Sequence, residues 1–260
     1  MKRLFVLFVC ALFLSVNVIS ARGEEEKPYD HSGVVRAIGQ LHLQANDFWP
    51  EHFRQGEERR RGNEFDPSEY FRVLTHIAPE QGFVLEYLYC GGMNGRPVFY
   101  WRTVMDPGPE NCEFPDLLAG RGTELQRIAA HLKLDGTLES FYELFVFNTL
   151  AGQFYLSWHA NYDDTRIIVS QDDVEAVIAE VNGSDFGSSF DASQEKEARA
   201  LDVTPRVEFW DEEAAEVSVV VFSKWGGFQR ITQRIRRLFP HTVLHEQNEK
   251  LVEYNCGVMY

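Results

Sequence analysis

The chain has 260 residues, of which 44% are hydrophobic and 13% aromatic, so a globally disordered protein is excluded. Its 25 basic and 40 acidic residues give a net charge of −15, and a surface of that sign repels phosphate backbones, which disfavours nucleic acid as a partner. The sequence contains no phosphate-binding loop, no dinucleotide-binding glycine motif and no protease or hydrolase signature. It therefore predicts no cofactor.

The first 21 residues have the three parts of a signal peptide. Lys2 and Arg3 are followed by an apolar run, Leu4–Leu14, and then by small residues up to Ala21. An uncleaved anchor would need about 20 apolar residues, and the polar residues after Leu14 interrupt such a span. We therefore predict cleavage after Ala21 or Gly23.

Cleavage after Ala21 would remove Lys2 and Arg3 and leave 23 basic and 40 acidic residues, a net charge of −17. The sequence thus predicts a secreted or periplasmic protein with no stable membrane anchor after cleavage. Residues 22–260 are predicted to form a single domain. The polar stretch 182–202 is interpreted as a surface loop within it, although a boundary between two domains at this stretch is an alternative.

Apolar residues at helical spacing predict five helices. The second and fourth begin with strong capping sequences, Asp66-Pro67-Ser68-Glu69 and Ser170 with Asp173. The first predicted helix is capped by Asp30 or Ser32, has its apolar stripe over 34–48 and ends at Pro50. The others run from 67 to Pro79, from Thr123 to Leu132, from Ser170 to Gly183 and from about Gly227 to Phe239.

Alternation of apolar and polar residues predicts strands between these helices. The predicted strands cover 83–89, 98–104, 140–148, 153–159, 165–169, 206–211, 216–223, 241–246 and 250–255. Short connections such as 149–152 and 246–249 imply hairpins, and hairpins pair antiparallel. The predicted fold class is therefore α+β, a mainly antiparallel sheet of hairpins or meanders with about five interspersed helices.

Three cysteines remain after cleavage, Cys90, Cys112 and Cys256. We predict at most one internal disulfide and favour Cys90–Cys256. Cys112 lies beyond the strand that leads away from Cys90, and its loop would have to retrace about 26 Å to bring the two α-carbons within about 7 Å. The cysteine spacings match no zinc-binding pattern, and no metal site is predicted from them.

The predicted last helix carries a basic stripe. Arg230, Arg234 and Arg237 recur at helical spacing opposite its apolar side, and Trp225 precedes it. In an acidic chain, such a stripe is a candidate surface for an anionic ligand or a protein partner. Favourable interaction with the helix dipole is the simpler interpretation of the same residues.

A second candidate site lies in the stretch from His159 to Asp164. His159, Tyr162, Asp163 and Asp164 offer an imidazole and two carboxylates, which are suited to a divalent metal or to acid–base catalysis. Asn and Asp are equally typical of a tight turn between strands.

The absence of catalytic motifs and the abundance of aromatic residues favour a non-enzymatic module that binds an unknown protein or small-molecule ligand. The alternative hypothesis is a metal-dependent or hydrolytic enzyme centred on His159, Asp163 and Asp164.

Overall fold

A computed structural model describes residues 28–92, 94–113, 128–162, 164–185 and 187–257. The predicted signal peptide lies outside these residues, as does the predicted helix start at Thr123. The helices are α1 His31–Asn46, α2 Glu51–Arg54, α3 Tyr70–Val73, α4 Leu138–Leu150, α5 Gln171–Gly183 and α6 Ala192–Arg199. The strands are β1 Ile77–Pro79, β2 Phe83–Cys90, β3 Arg96–Thr103, β4 Leu132–Leu134, β5 Thr165–Ile168, β6 Arg206–Phe209, β7 Ala214–Ser223, β8 Gly227–Arg236 and β9 Val243–Val252.

All strand pairs within the described ranges are antiparallel, which confirms the predicted α+β class. β2 and β3 form a hairpin, and β1 pairs with β4. The largest sheet has β7 beside β8 and β8 beside β9. The other edge of β7 is shared, because β5 pairs with residues 220–223 and β6 pairs with residues 215–218.

Two hydrophobic clusters lie on opposite faces of this sheet. The larger one packs α4, α1 and the β2–β3 hairpin against Val217, Val219 and Val221 of β7. The smaller one packs α5 and α6 against Val220 and Phe222 of the same strand. Because successive side chains of a strand point to opposite faces, β7 supplies both clusters.

Local signals confirm the first and fourth predicted helices. Asp30 caps α1 by accepting a hydrogen bond from the Gly33 amide at 2.8 Å. Ser170 and Asp173 form a reciprocal capping box at the start of α5, whose four valine and isoleucine side chains are buried as predicted. None of the helices in the described ranges is long and apolar enough to cross a membrane.

Other predicted elements are wrong or shorter than expected. The second helix is limited to a 3-10 turn, Pro67–Glu69, and α3, after which residues 77–79 form β1. Residues 140–148 belong to α4 rather than to a strand. The strand prediction failed because α4 is buried on nearly all sides, so its sequence has no polar face that would reveal a helical period. Residues 153–159 form turns and the start of a 3-10 helix, Trp158–Tyr162, so the predicted hairpin at 149–152 does not exist.

The predicted fifth helix is the strand β8. Phe228 packs into the smaller cluster, whereas Ile231 and Ile235 pack into the larger one on the opposite face. Because β8 buries apolar side chains on both faces of the sheet, these residues recur at spacings of three and four, as they would on one side of a helix. The predicted strands 241–246 and 250–255 are one continuous strand, β9, with no turn at 246–249. The polar stretch 182–202 contains the helix α6.

The disulfide joins Cys90 to Cys112, with their α-carbons 5.6 Å apart, so the favoured Cys90–Cys256 pairing is wrong. The predicted hairpin is nevertheless present. After β3, the chain folds back along the hairpin, where Arg59 Nη2 donates to the Pro107 carbonyl at 2.7 Å and the Cys112 amide donates to Glu58 Oε2 at 2.6 Å. Cys256 is buried elsewhere, and its carbonyl accepts from the Ser188 amide.

Candidate functional site

The candidate site begins with a polar surface on the five-stranded sheet. The register aligns Arg206, Ser218 and Thr232 in one row across β6, β7 and β8, and Glu208, Glu216 and Arg234 in the next. Directly aligned residues share a face of the sheet. We call these six residues the open face, since all six side chains retain solvent exposure whereas Val220 and Phe222, further along the same side of β7, are covered by α5 and α6.

Hydrogen bonds connect neighbouring strands on the open face. Thr232 Oγ1 donates to Ser218 Oγ at 3.1 Å. Arg234 Nε donates to Glu216 Oε2 at 2.8 Å, a charge-assisted bond between partly buried side chains. The guanidinium of Arg234 is therefore held in one orientation above the sheet.

Trp210 lies at the end of the open face, just after β6. Its ring is stacked by Arg234, whose guanidinium carbon is 3.6 Å from the ring centroid. The ring remains 49% exposed, so one side contacts the guanidinium while a large part faces solvent. Such a cation–π pair contributes about 0.5–1 kcal/mol at an exposed position and more when it is desolvated.

A second arginine–aromatic pair lies at the same end of the sheet. Arg237 follows β8, and its guanidinium carbon is 4.1 Å from the centroid of Phe209. Its Nη1 donates to the Asp211 carbonyl at 3.0 Å. Leu238 and Phe239 follow directly and are also exposed. We refer to Phe209, Trp210, Arg234, Arg237, Leu238 and Phe239 as the sheet-end cluster.

The structure thus separates the residues of the predicted basic stripe. Arg234 stacks on Trp210 at the end of the open face. Arg237 stacks on Phe209, which aligns with Ala215 and contacts Phe141 on the opposite face of the sheet. Arg230 lies further along β8 and donates from Nη2 to the Asp202 carbonyl at 2.7 Å. Trp225 lies in the connection between β7 and β8, where it packs against the smaller hydrophobic cluster. The four residues do not form one continuous surface, because the stripe was based on a helix that does not exist.

The alternative candidate site gains no geometric support. His159 is buried in the 3-10 helix and stacks on Trp158, with ring centroids 4.4 Å apart. Asp164 immediately precedes β5. Burial lowers the pKa of Arg166, but the hydrogen bond and charge of Glu180, together with the charge of Asp164, outweigh burial and raise this pKa above its usual value. Asp163 and the side chain of Tyr162 lie outside the described residues. Within the described ranges, no group of three or more His, Cys, Asp or Glu side chains is arranged to hold a metal ion.

The sequence analysis missed Phe209, Trp210 and Glu216. A usable signal was present, since Arg206 and Glu208 alternate with Val207 in β6, and Glu216 and Ser218 alternate with valines in β7. Both strands were predicted correctly, and their polar sides indicate a shared exposed face. Trp210, two positions after Glu208, would then have been placed beside it, whereas Phe209 lies on the side of Val207.

Comparison of the chain with protein-family models, with curated proteins and with solved structures finds no match.

Proposed function

We propose that this chain is an exported, non-enzymatic binding module that docks a partner protein on its sheet-end cluster. The observation that carries the proposal is the pair of arginine–aromatic stacks, Arg234 on Trp210 and Arg237 on Phe209, in which both rings are also exposed to solvent. Trp and Arg are the residues most enriched among those that dominate the binding energy of protein interfaces.

The hydrogen bonds of the cluster favour binding because they reduce the conformational entropy that its side chains would lose on association. Arg234 is held by Glu216 and Arg237 by the Asp211 carbonyl. Immobilising a free, rotamer-rich side chain costs about 0.5–1.5 kcal/mol on binding. Two arginines that are already oriented avoid much of this cost, and a partner that covers them also removes water from the two stacks.

The exposed apolar side chains nearby indicate the chemistry of the partner. Leu238 and Phe239 follow Arg237 directly and are exposed, and Arg236 adds a further exposed cation. A partner that presents apolar side chains beside carboxylates would satisfy both features.

A photo-crosslinking experiment in the native host tests the proposal. A photoreactive phenylalanine derivative would replace Leu238, which is 75% exposed, and in a control protein Phe48, which is 73% exposed but belongs to the segment after α1. The protein captured only from position 238 is then purified, and its affinity is measured for the wild type and for the variants Trp210→Ala and Arg234→Ala. We expect each variant to bind at least about tenfold more weakly, as is typical of interface residues that dominate binding.

Phe48→Ala serves as the matched binding control and should leave the affinity unchanged. Equal capture at both positions, or an unchanged affinity of the Trp210→Ala variant, would contradict the proposed docking surface.

Export is the second part of the proposal and has its own test. Mass spectrometry of the protein from its native host should show a chain that begins at Arg22 or Glu24 and carries no lipid. The physical reason is the positive start, apolar run and small residues of 1–21, which a signal peptidase recognises. A full-length mass that retains Met1 would refute export.

A further inference from the structure

A groove lies on the outer side of the β2–β3 hairpin and is formed by residues other than those of the sheet-end cluster. Its floor includes Glu86, Tyr100 and Arg102, and its walls are Arg59 with Arg60 and the loop 104–107. The groove has a volume of about 430 Å³, which lies within the range of small-molecule sites. The wall formed by the loop is anchored by the Cys90–Cys112 disulfide and by the bond from Arg59 to the Pro107 carbonyl.

The charge of the groove is opposite to that of the chain. Three guanidinium groups and two carboxylates, Glu86 and Asp106, line it, a net charge of +1 in a chain of net charge −15. Arg60 and Arg102 share one carboxylate, because Arg60 Nη1 lies 2.7 Å from Glu86 Oε2 and Arg102 Nη2 lies 3.1 Å from Glu86 Oε1. One negative charge therefore orients two cations and compensates only one of them.

Arg60 also has a donor that remains unsatisfied. Its Nε is buried and makes no hydrogen bond to any residue that the structure describes. An unpaired donor of a charged, buried group is costly, and the two terminal nitrogens of the same guanidinium are the ones left for a ligand and for Glu86. The Arg60 guanidinium is held in place by its bond to Glu86 and by the ring of Tyr87, whose centroid is 5.2 Å away. Burial raises the pKa of Tyr100, so its hydroxyl stays protonated and can donate at neutral pH.

Apolar side chains border the charged part of the groove. Met105 is 91% exposed and Val104 precedes it on the same loop. Solvent exposure of two large apolar side chains next to three arginines provides a second contact area, one that the hydrocarbon part of a ligand would cover.

We infer that the groove binds a small organic monocarboxylate, with its carboxylate among Arg59, Arg60 and Arg102 and its apolar body against Val104 and Met105. Guanidinium groups match the planar geometry of a carboxylate and bind it through paired hydrogen bonds. The excess charge of +1 suits one negative charge. A phosphate dianion would bring excess negative charge beside Glu86 and Asp106.

Calorimetric titration of the purified protein with octanoate, octanamide and inorganic phosphate tests this inference. We expect saturable binding of one octanoate per chain, and at least about tenfold weaker binding of octanamide and of phosphate. Arg59→Gln should weaken octanoate binding at least about tenfold. Met105→Glu should do the same by placing a negative charge at the groove, and its exposed position leaves folding intact. Arg72→Gln, which changes an exposed arginine of α3, and Met105→Leu should bind octanoate like the wild type.

Three results would overturn the inference. Absence of saturable octanoate binding would show that the groove is not a carboxylate site. Equally tight binding of octanamide would show that the carboxylate charge does not contribute to binding. Phosphate that binds as tightly as octanoate refutes the assignment to a carboxylate. None of these results depends on the sheet-end cluster, and the Arg59 and Met105 variants should keep full affinity for the partner protein proposed above.

Discussion

Replacing Phe154 with alanine is expected to lower the free energy of unfolding by about 3–5 kcal/mol, the usual cost of truncating a fully buried phenylalanine. The side chain has 0% exposure and lies at the centre of an aromatic group. Its ring centroid is within 6.1 Å of those of His42, Phe65, Tyr87, Phe99 and Tyr155. These neighbours come from α1, the segment before α3, and the β2–β3 hairpin, so the vacated volume could close only if several elements moved together.

Denaturant unfolding followed by circular dichroism measures this effect. Phe48→Ala is the matched control, because the same side chain at 73% exposure packs against little else, and a surface substitution of this kind changes stability by about 0.5 kcal/mol or less. A loss below about 1 kcal/mol for Phe154→Ala would mean that the aromatic group is not packed as described.

Removal of the disulfide by Cys90→Ser with Cys112→Ser is expected to lower the free energy of unfolding by about 3 kcal/mol. The bridge spans a sequence separation of 22 residues, and a covalent link of that length restricts the unfolded chain by about this amount. In a chain of this size, 1 kcal/mol corresponds to about 2–4 °C in the midpoint of thermal unfolding. The midpoint should therefore fall by about 6–12 °C.

Differential scanning calorimetry with and without a reductant provides the comparison. Reductant should shift the wild-type midpoint by a similar amount and leave the double variant unchanged. Cys256→Ala controls for the loss of a thiol outside the bridge. If reductant lowers the midpoint of the double variant as much as that of the wild type, the stabilisation does not come from the Cys90–Cys112 bond.

Elements with strong local signals are predictable from the amino-acid sequence. The capping box of Ser170 and Asp173 and the buried stripe that follows it are properties of one short segment, so α5 could be predicted with its buried residues. The β2–β3 hairpin was equally accessible, since each strand alternates and a glycine-rich turn connects them. The antiparallel α+β class followed from these short connections.

Segments that are buried on more than one side could not be assigned to a helix or a strand without their tertiary contacts. α4 has apolar residues all around its axis, and β8 places Phe228 and Ile235 in different hydrophobic clusters. In both segments the periodicity that distinguishes a helix from a strand is lost, because burial no longer selects a single face. Whether such a segment forms a helix or a strand is then set by the neighbouring elements: β5, β6 and β7 for α4, and β7 with β9 for β8.

The candidate site shows the same division. The sequence identified Arg234 and Arg237 as unusual cations in an acidic chain, but it placed them on a helix with Arg230. Only the strand register brings Arg234 beside Glu216, and only the connections after β6 and β8 bring the two arginines over Trp210 and Phe209. A charge is a property of one residue, whereas a stacking partner is set by pairing between strands, and that pairing depends on contacts distant in the sequence.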